Sequence, residues 1–483
     1  SQLPKATTPQ NPTNPFNKKY GPIFSLTLGA RNVVVVSSPS LAEECLKQYD
    51  VVFANRPHSI LGWKILAYNY TSIGAAPYGP HWRNLRRLSA VELLSAPRLN
   101  SFLHVRTDEV TRLVNGLVAD VSAGSGFGKV EMKLRLVGLS MNMVMRMVTG
   151  KRYFGTSEEK EGRDEEEKEE GEEFKELIME AFELSGTSKP VDFLPLLKWV
   201  DFNGLEKKMD AFFQGLIDDH RSSRLQREEE EQEDGVGSLS RKMMIDTMLT
   251  LQESETENYS DDIIKGQVMS LILAGTDTTA ATIEWGMSLL LNHPEILDKA
   301  RAEIDNAVGN NRLVQESDCI DLPYLQCIIS ETFRLYPVGP LLIPHQSSED
   351  CTVGGYFVSK ETMLFVNTWA IHRQPTVHRD PTVWKDPTRF WPERHSEAEA
   401  NAYQLLPFGA GRRSCPGIAL ANRTVSVALG TLIQCFEWKR VGEELLDMTE
   451  GPGLTMPKLE PLEALCKPRK FMEDVLITVQ GDK

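Results

Sequence analysis

The sequence predicts a mainly α-helical protein with a small β region, and three observations carry that expectation. Apolar residues recur at helical spacing through most of the 483 residues. One stretch, Asp261 to Leu291, is long enough for a single helix of about 45 Å. β-branched alternation is confined to short runs near the two ends of the chain.

Taken in order, residues 1–19 carry prolines at 4, 9, 12 and 15 and read as an extended lead-in. Ile23 to Leu28 and Asn32 to Val36 alternate around Gly29-Ala30-Arg31, which predicts a hairpin. Pro39 to Tyr49 reads as a short helix, with Ser38 as its N-cap and the proline at the first helical position. His58 to Ile73 is aromatic and irregular and is expected to be a loop. Helices are predicted from Pro80 to Leu88, Leu99 to Val121, Lys133 to Val148, Glu172 to Leu184 and Gly204 to Gln226. The long helix starts after Ser260 as its N-cap and stops at His293-Pro294. Short strands follow Asp350 (Cys351–Val358 and Thr362–Val366), then a proline-rich meander from Pro375 to Arg394, and a last apolar helix from Ile418 to about Phe436. No internal repeat is visible.

The net charge of −15 is local in origin. Glu158 to Glu173 carries eleven acids against three bases, and Glu228 to Asp234 adds six more acids, which leaves the rest of the chain at −1. The two runs read as solvated loops or exposed helix ends. A nearly neutral body argues against nucleic-acid binding. Seven cysteines without paired spacing argue against a disulfide framework and for a reducing compartment. No run of 18 apolar residues suits a membrane span.

The chemistry concentrates at Phe408-Gly409-Ala410-Gly411-Arg412-Arg413-Ser414-Cys415-Pro416-Gly417. Pro416 suits the first position of a helix, so Cys415 is expected at or just before a helix N-terminus, where the dipole favours a thiolate. Such a thiolate could be a nucleophile, a redox thiol or a metal ligand, and a lone cysteine is most often a small buried hydrophobe. On the long helix, Ala274 and Thr278 share a face, and Asp277-Thr278 is an acid–alcohol pair. Glu331 and Arg334 are spaced for an ion pair on one helix face. Trp82 and Arg86 are four apart, so an indole N–H and a guanidinium point the same way.

F-x-x-G-x-R-x-C-x-G, together with Ala274-Gly275-Thr276-Asp277-Thr278-Thr279 and Glu331-Thr332-Phe333-Arg334, resembles the cytochromes P450. Phe53-Ala54-Asn55-Arg56-Pro57, Ala75-Ala76-Pro77-Tyr78-Gly79, Trp369-Ala370-Ile371-His372-Arg373 and Thr455-Met456-Pro457-Lys458 make it similar to the plant microsomal members. Among these the likeness is to the group with isoflavone hydroxylases and lignan methylenedioxy-bridge formers. The resemblance runs from about Tyr20 to the C-terminus. It implies one catalytic domain over 20–483, although length alone suggests more domains, with haem b buried between the long central helix and the helix after the cysteine loop.

It further implies Cys415 as axial thiolate. Trp82, Arg86, Ala274, His345, Phe408, Gly409, Arg413 and Gly417 would contact the haem, the cations and Trp82 through the two propionates. Thr278 and Asp277 would deliver protons to the oxygen being reduced. Leu61, Trp63, Tyr68, Ala274, Val338, Leu341, Leu342 and Leu454 would line a pocket for a small hydrophobic substrate. Glu331, Arg334 and Arg394 would form a structural ion-pair set, with His395 standing where an aromatic Phe is usual. Arg83, Arg87, Arg412 and Arg423 would form a basic docking face for an electron donor. The expected activity is NADPH- and O2-dependent oxygen insertion into a phenolic, flavonoid, lignan or terpenoid, by a monomer served by NADPH-cytochrome P450 reductase. The expected location is the endoplasmic reticulum membrane, through an N-terminal anchor missing from this chain, with the catalytic domain facing the cytosol. Ring closure to a methylenedioxy bridge is the alternative. A reductase-independent isomerase or dehydratase, and a haem carrier without turnover, are disfavoured by the intact Asp277-Thr278 pair.

Overall fold

The structure, a computed structural model, describes residues 20–58, 61–121, 126–155, 165–186, 203–234, 242–373, 384–396 and 403–472. Strands β1 (Ile23–Leu28) and β2 (Arg31–Val36) form the expected hairpin, antiparallel with Ile23 opposite Val36. Parallel to β2 runs β7 (Met363–Val366), with Val33 opposite Met363, and β4 (His345–Gln346) closes that sheet. β5 (Cys351–Val353) and β6 (Tyr356–Val358) make a separate hairpin, and β3 (Gly128–Glu131), β9 (Glu463–Pro468) and β8 (Phe436–Lys439) a third sheet. The sheets therefore join segments from opposite ends of the chain, and helices make up the rest.

The helical body is built on α10, Asp261–Asn292. Ser260 caps it by accepting from the Ile263 amide at 3.4 Å, and Asp261 and Asp262 complement the dipole in its first turn. Most of α10 is buried on every side, as a core helix must be. Around it lie α6 (Lys133–Thr149), α12 (Pro323–Leu335) and α14 (Ile418–Cys435). Packing there is tight: a Cβ on Gly275 would meet Val144 Cγ2 at 2.8 Å. α14 has the length and apolarity of a membrane span, but 67% of it is buried inside the fold, so it is a core helix. All seven cysteines are free.

Four elements differ from the sequence reading. His58 to Ile73 contains a helix, α2 (Leu61–Leu66), held against α7 (Glu165–Gly186) where Gly62 meets the Leu184 carbonyl. α7 begins at Glu165, seven residues before the predicted start at Glu172, so the described end of the first acidic run belongs to a helix. The segment from Leu99 to Val121 breaks at Phe102 into α4 (Ala96–Ser101) and α5 (Leu103–Val121). Pro416 precedes the last helix, for which Gly417 is the N-cap. The second acidic run does end a helix, α8 (Asn203–Asp234). Of the meander, 374–383 lie outside the described residues.

Candidate active site

The cysteine loop is shaped by its glycines. Gly409 and Gly411 have φ of +66° and +68°, the left-handed region that suits glycine. At Gly411 a Cβ would lie 2.2 Å from the Leu46 carbonyl oxygen, so no other residue fits. The Arg412 amide donates to Asp50 Oδ1 at 2.9 Å and fixes the same turn. The Cys415 amide donates to the Phe408 carbonyl at 2.9 Å, and the Gly417 amide reaches Cys415 Sγ at 3.3 Å. Burial pushes the Cys415 thiol up, while the Gly417 N–H and the Arg86 charge oppose that and favour the anion. Phe408 packs edge-on to Phe333 at 5.1 Å, and Gly409 lies against Leu342. Leu342 itself packs into the core around β2 and β7.

Beside the loop is a cluster of cations. Arg413 donates to the carbonyls of Ala54 (2.6 Å), Ile73 (3.2 Å) and Ala76 (2.6 Å) and stacks on Trp82 at 4.5 Å. Arg86, on α3 (Pro80–Arg87), reaches the Ser414 carbonyl at 2.7 Å and its hydroxyl at 3.2 Å. The Trp82 indole N–H donates instead to the Ile73 carbonyl at 3.2 Å. The two α3 donors thus reach separate carbonyls while lining the same hollow. His345 shares its Nδ1 with the Phe53 carbonyl at 2.7 Å.

The sequence reading missed Arg56. It is buried and donates to the carbonyls of Gly74, Ile343 and Pro344. Burial, and then Arg86, push Arg413 down to about 9. Burial and Arg413 hold Arg56 well below its ordinary value, and burial and Arg56 do the same to His345. Among the described residues, no carboxylate forms an ion pair with Arg56, Arg86 or Arg413. These cations repel one another and are answered by backbone carbonyls, the Ser414 hydroxyl and the Trp82 ring, none of them an anion, so the cluster suits an anionic group.

α10 opens near its middle. Ala274 is exposed at the middle of an otherwise buried helix, and Asp277 and Thr278 are half-buried beside it. Thr278 donates to the Ala274 carbonyl at 2.7 Å, and Asp277 Oδ2 accepts from Thr455 at 2.5 Å. Of the predicted pocket stretches, the one at 453–456 reaches this part of α10, through Thr455. Gly266 meets the turn at Ala67 and Thr71, the Met456 amide donates to the Val338 carbonyl at 3.0 Å, and Leu454 is 37% exposed next to Thr455. Trp63, Tyr68, Val338 and Leu341 are half-buried. The Leu61 side chain lies outside the described residues.

Behind the loop, Glu331 receives Arg334 at 2.7 and 2.8 Å, Arg394 at 3.0 Å and His395 Nε2 at 2.9 Å. Burial would raise this carboxyl, but these partners hold it down to about 2. His395 thus joins the set as a polar partner. On the outer surface, Trp82, Arg83, Arg86, Gly411 and Arg412 line a hollow of about 300 Å³. Arg87 pairs with Glu255 at 3.7 Å. Arg423 belongs elsewhere than on a basic face, being engaged by Asn100 and Glu316 at 2.7 and 2.8 Å.

These residues fit haem b: a sulfur with an amide donor, uncompensated cations for propionates, and an open helix face for a flat ring. A sequence profile described as Cytochrome P450 matches residues 1–462. The chain is 54% identical to cytochrome P450 81Q32 of Catharanthus roseus over 95% of its length and 87% of the relative's. It is 50% identical to isoflavone 3'-hydroxylase of Medicago truncatula, covering 95% and 88%. To the (+)-piperitol/(+)-sesamin synthase CYP81Q2 of Sesamum radiatum it is 49% identical, covering 96% and 88%. A zebra fish cytochrome P450 solved with progesterone matches at a TM-score of 0.76 and 26% identity, over 94% of this chain and 98% of that one. With fold, site and sequence in agreement, the chain belongs to the cytochrome P450 family and is a haem-thiolate monooxygenase.

Proposed function

We propose that this monooxygenase uses NADPH and O2 to hydroxylate a hydrophobic plant secondary metabolite of the phenolic, flavonoid, lignan or terpenoid classes. Its electrons come from NADPH-cytochrome P450 reductase, and it works as a monomer, a single domain over 20–483, at the cytosolic side of the endoplasmic reticulum membrane. The observation that carries this reading is the open face of α10 at Ala274, with an acid and an alcohol on its rim.

When bound, haem supplies the dioxygen activation. Cys415 would hold its iron through the thiolate, and the Gly417 amide and Arg86 would support the sulfur anion. Arg86, Arg413, His345 and Trp82, with Arg56, hold the propionate edge. Thr278 and Asp277 pass protons inward from the rim. Trp63, Tyr68, Val338, Leu341 and Leu454 orient the substrate and exclude water, and Glu331, Arg334 and Arg394 brace the loop from behind.

One observation favours a second reading. The sesame relative is named as a piperitol/sesamin synthase, so ring closure to a methylenedioxy bridge on a lignan is the alternative outcome of the same oxidation. A reductase-independent isomerase would have no need of the acid and alcohol on that rim.

The experiment is to incubate the haem-loaded protein with reductase, NADPH and labelled dioxygen over a panel of isoflavones and furofuran lignans. The proposal expects a substrate-induced haem spectral shift and a product carrying one labelled oxygen. A product lighter by two hydrogens supports ring closure instead. Turnover that persists without reductase and NADPH contradicts both.

A further inference from the structure

Thr455 enters the sequence reading only as part of a resemblance segment, with no role of its own, yet its hydroxyl donates to Asp277 Oδ2 at 2.5 Å across 178 residues of chain. The surrounding loop, 449–458, is tied down on both sides of that contact. The Met456 amide donates to the Val338 carbonyl at 3.0 Å, and Trp285 Nε1 of α10 donates to the Met456 carbonyl at 2.8 Å. Trp285 in turn stacks on Tyr336 at 4.0 Å. At the other end Glu450 accepts from Trp369 Nε1 at 2.6 Å and from Arg373 at 3.2 Å. An anchored loop therefore presents one hydroxyl to the acid of the acid–alcohol pair, and the neighbouring residue, Leu454, is left 37% exposed.

We propose that Thr455 is a positioning residue for the reaction: it fixes the Asp277 carboxylate beside Thr278 and couples that geometry to the loop that carries Leu454. The inference rests on the proton-delivery reading of Asp277 and Thr278. A carboxylate on a solvent-facing rim has free rotation about its side-chain torsions, and a charge-assisted hydrogen bond from an immobilised donor removes it. Without that donor the carboxylate scatters, proton delivery loses its alignment, and reducing equivalents leave as peroxide. A substrate pressing on Leu454 acts on the next residue's hydrogen bond, so occupancy of the pocket and alignment of the acid are linked.

The test uses the haem-loaded full chain with reductase. Peroxide released per NADPH is measured without organic substrate and again with an isoflavone as probe. Thr455→Val, which keeps the shape and removes the hydroxyl, is expected to raise that ratio about twofold or more in both conditions, with the ferrous–carbonyl band unchanged. Thr455→Ser restores it. A second readout needs no turnover: backbone hydrogen exchange over 449–458 rises in Thr455→Val and in Asp277→Ala, and the double variant adds nothing further. An unchanged peroxide ratio in Thr455→Val, or additive exchange effects, overturns the inference. If Thr278→Ala and Asp277→Asn also leave the ratio unchanged, the proton-delivery reading fails with it. If those two disturb the ratio and Thr455→Val does not, only the role of Thr455 is lost.

Discussion

Glu331 shows how much one residue holds in this fold. It is fully buried and surrounded by Arg334, Arg394 and His395, and it carries its charge because all three donate to it. Its carboxyl is held at about 2 against an ordinary 4.5. A depressed carboxyl stabilises the folded state fully above the unfolded value, and that contribution is lost as pH falls from there toward the folded value. The shift corresponds to about 3 kcal/mol. Glu331→Gln leaves Arg334 buried without a counter-charge, and is expected to cost about 3–5 kcal/mol in denaturant unfolding at neutral pH. The variant's stability should also change less than the wild type's as pH drops below about 4.5. Equal stability of the two proteins at neutral pH would show that the set is not bracing the loop.

Legibility at this scale follows locality. Glu331 and Arg334 were readable because one helical turn joins them. Arg56 was not, because its chemistry arises only when the fold brings it to His345 and Arg413, and Thr455 meets Asp277 across 178 of the chain's 483 residues.

At the scale of elements, local rules sufficed where they acted alone. Ser38 and Ser260 cap the helices that follow them, each with a side-chain bond of 3.4 Å. They failed where packing overrode them. α2 carries no strong helical period, yet it is helical against Leu184, and Phe102 divides a continuous apolar pattern. The cysteine loop is the element most sensitive to change. Gly411→Ala forces a Cβ onto the Leu46 carbonyl and a strained positive φ, the latter alone costing about 1–3 kcal/mol. The variant should purify with a lower haem-to-protein absorbance ratio, while Gly442→Ala, where a Cβ meets nothing within 4 Å, should not. Equal ratios in both variants would mean that the loop tolerates displacement without losing the haem.

At the scale of the whole molecule, helices supply the two faces of the site and the sheets lock the ends of the chain around them. The mainly α class and the single long helix were readable from period and length. The pairing of β2 with β7 was not, because parallel strands more than 300 residues apart leave no local mark. The molecule offers a sulfur with a backbone amide donor and, on α10, an open stretch at Ala274, and the cytochrome P450 assignment predicts that this sulfur binds the iron.

The most direct measurement is the ferrous–carbonyl absorption band of purified wild type and Cys415→Ser. The account predicts the thiolate-type band in the wild type and its loss in the variant, with Cys45, Cys319, Cys327, Cys351, Cys435 and Cys466 unable to replace it. An unchanged thiolate band in Cys415→Ser would contradict it.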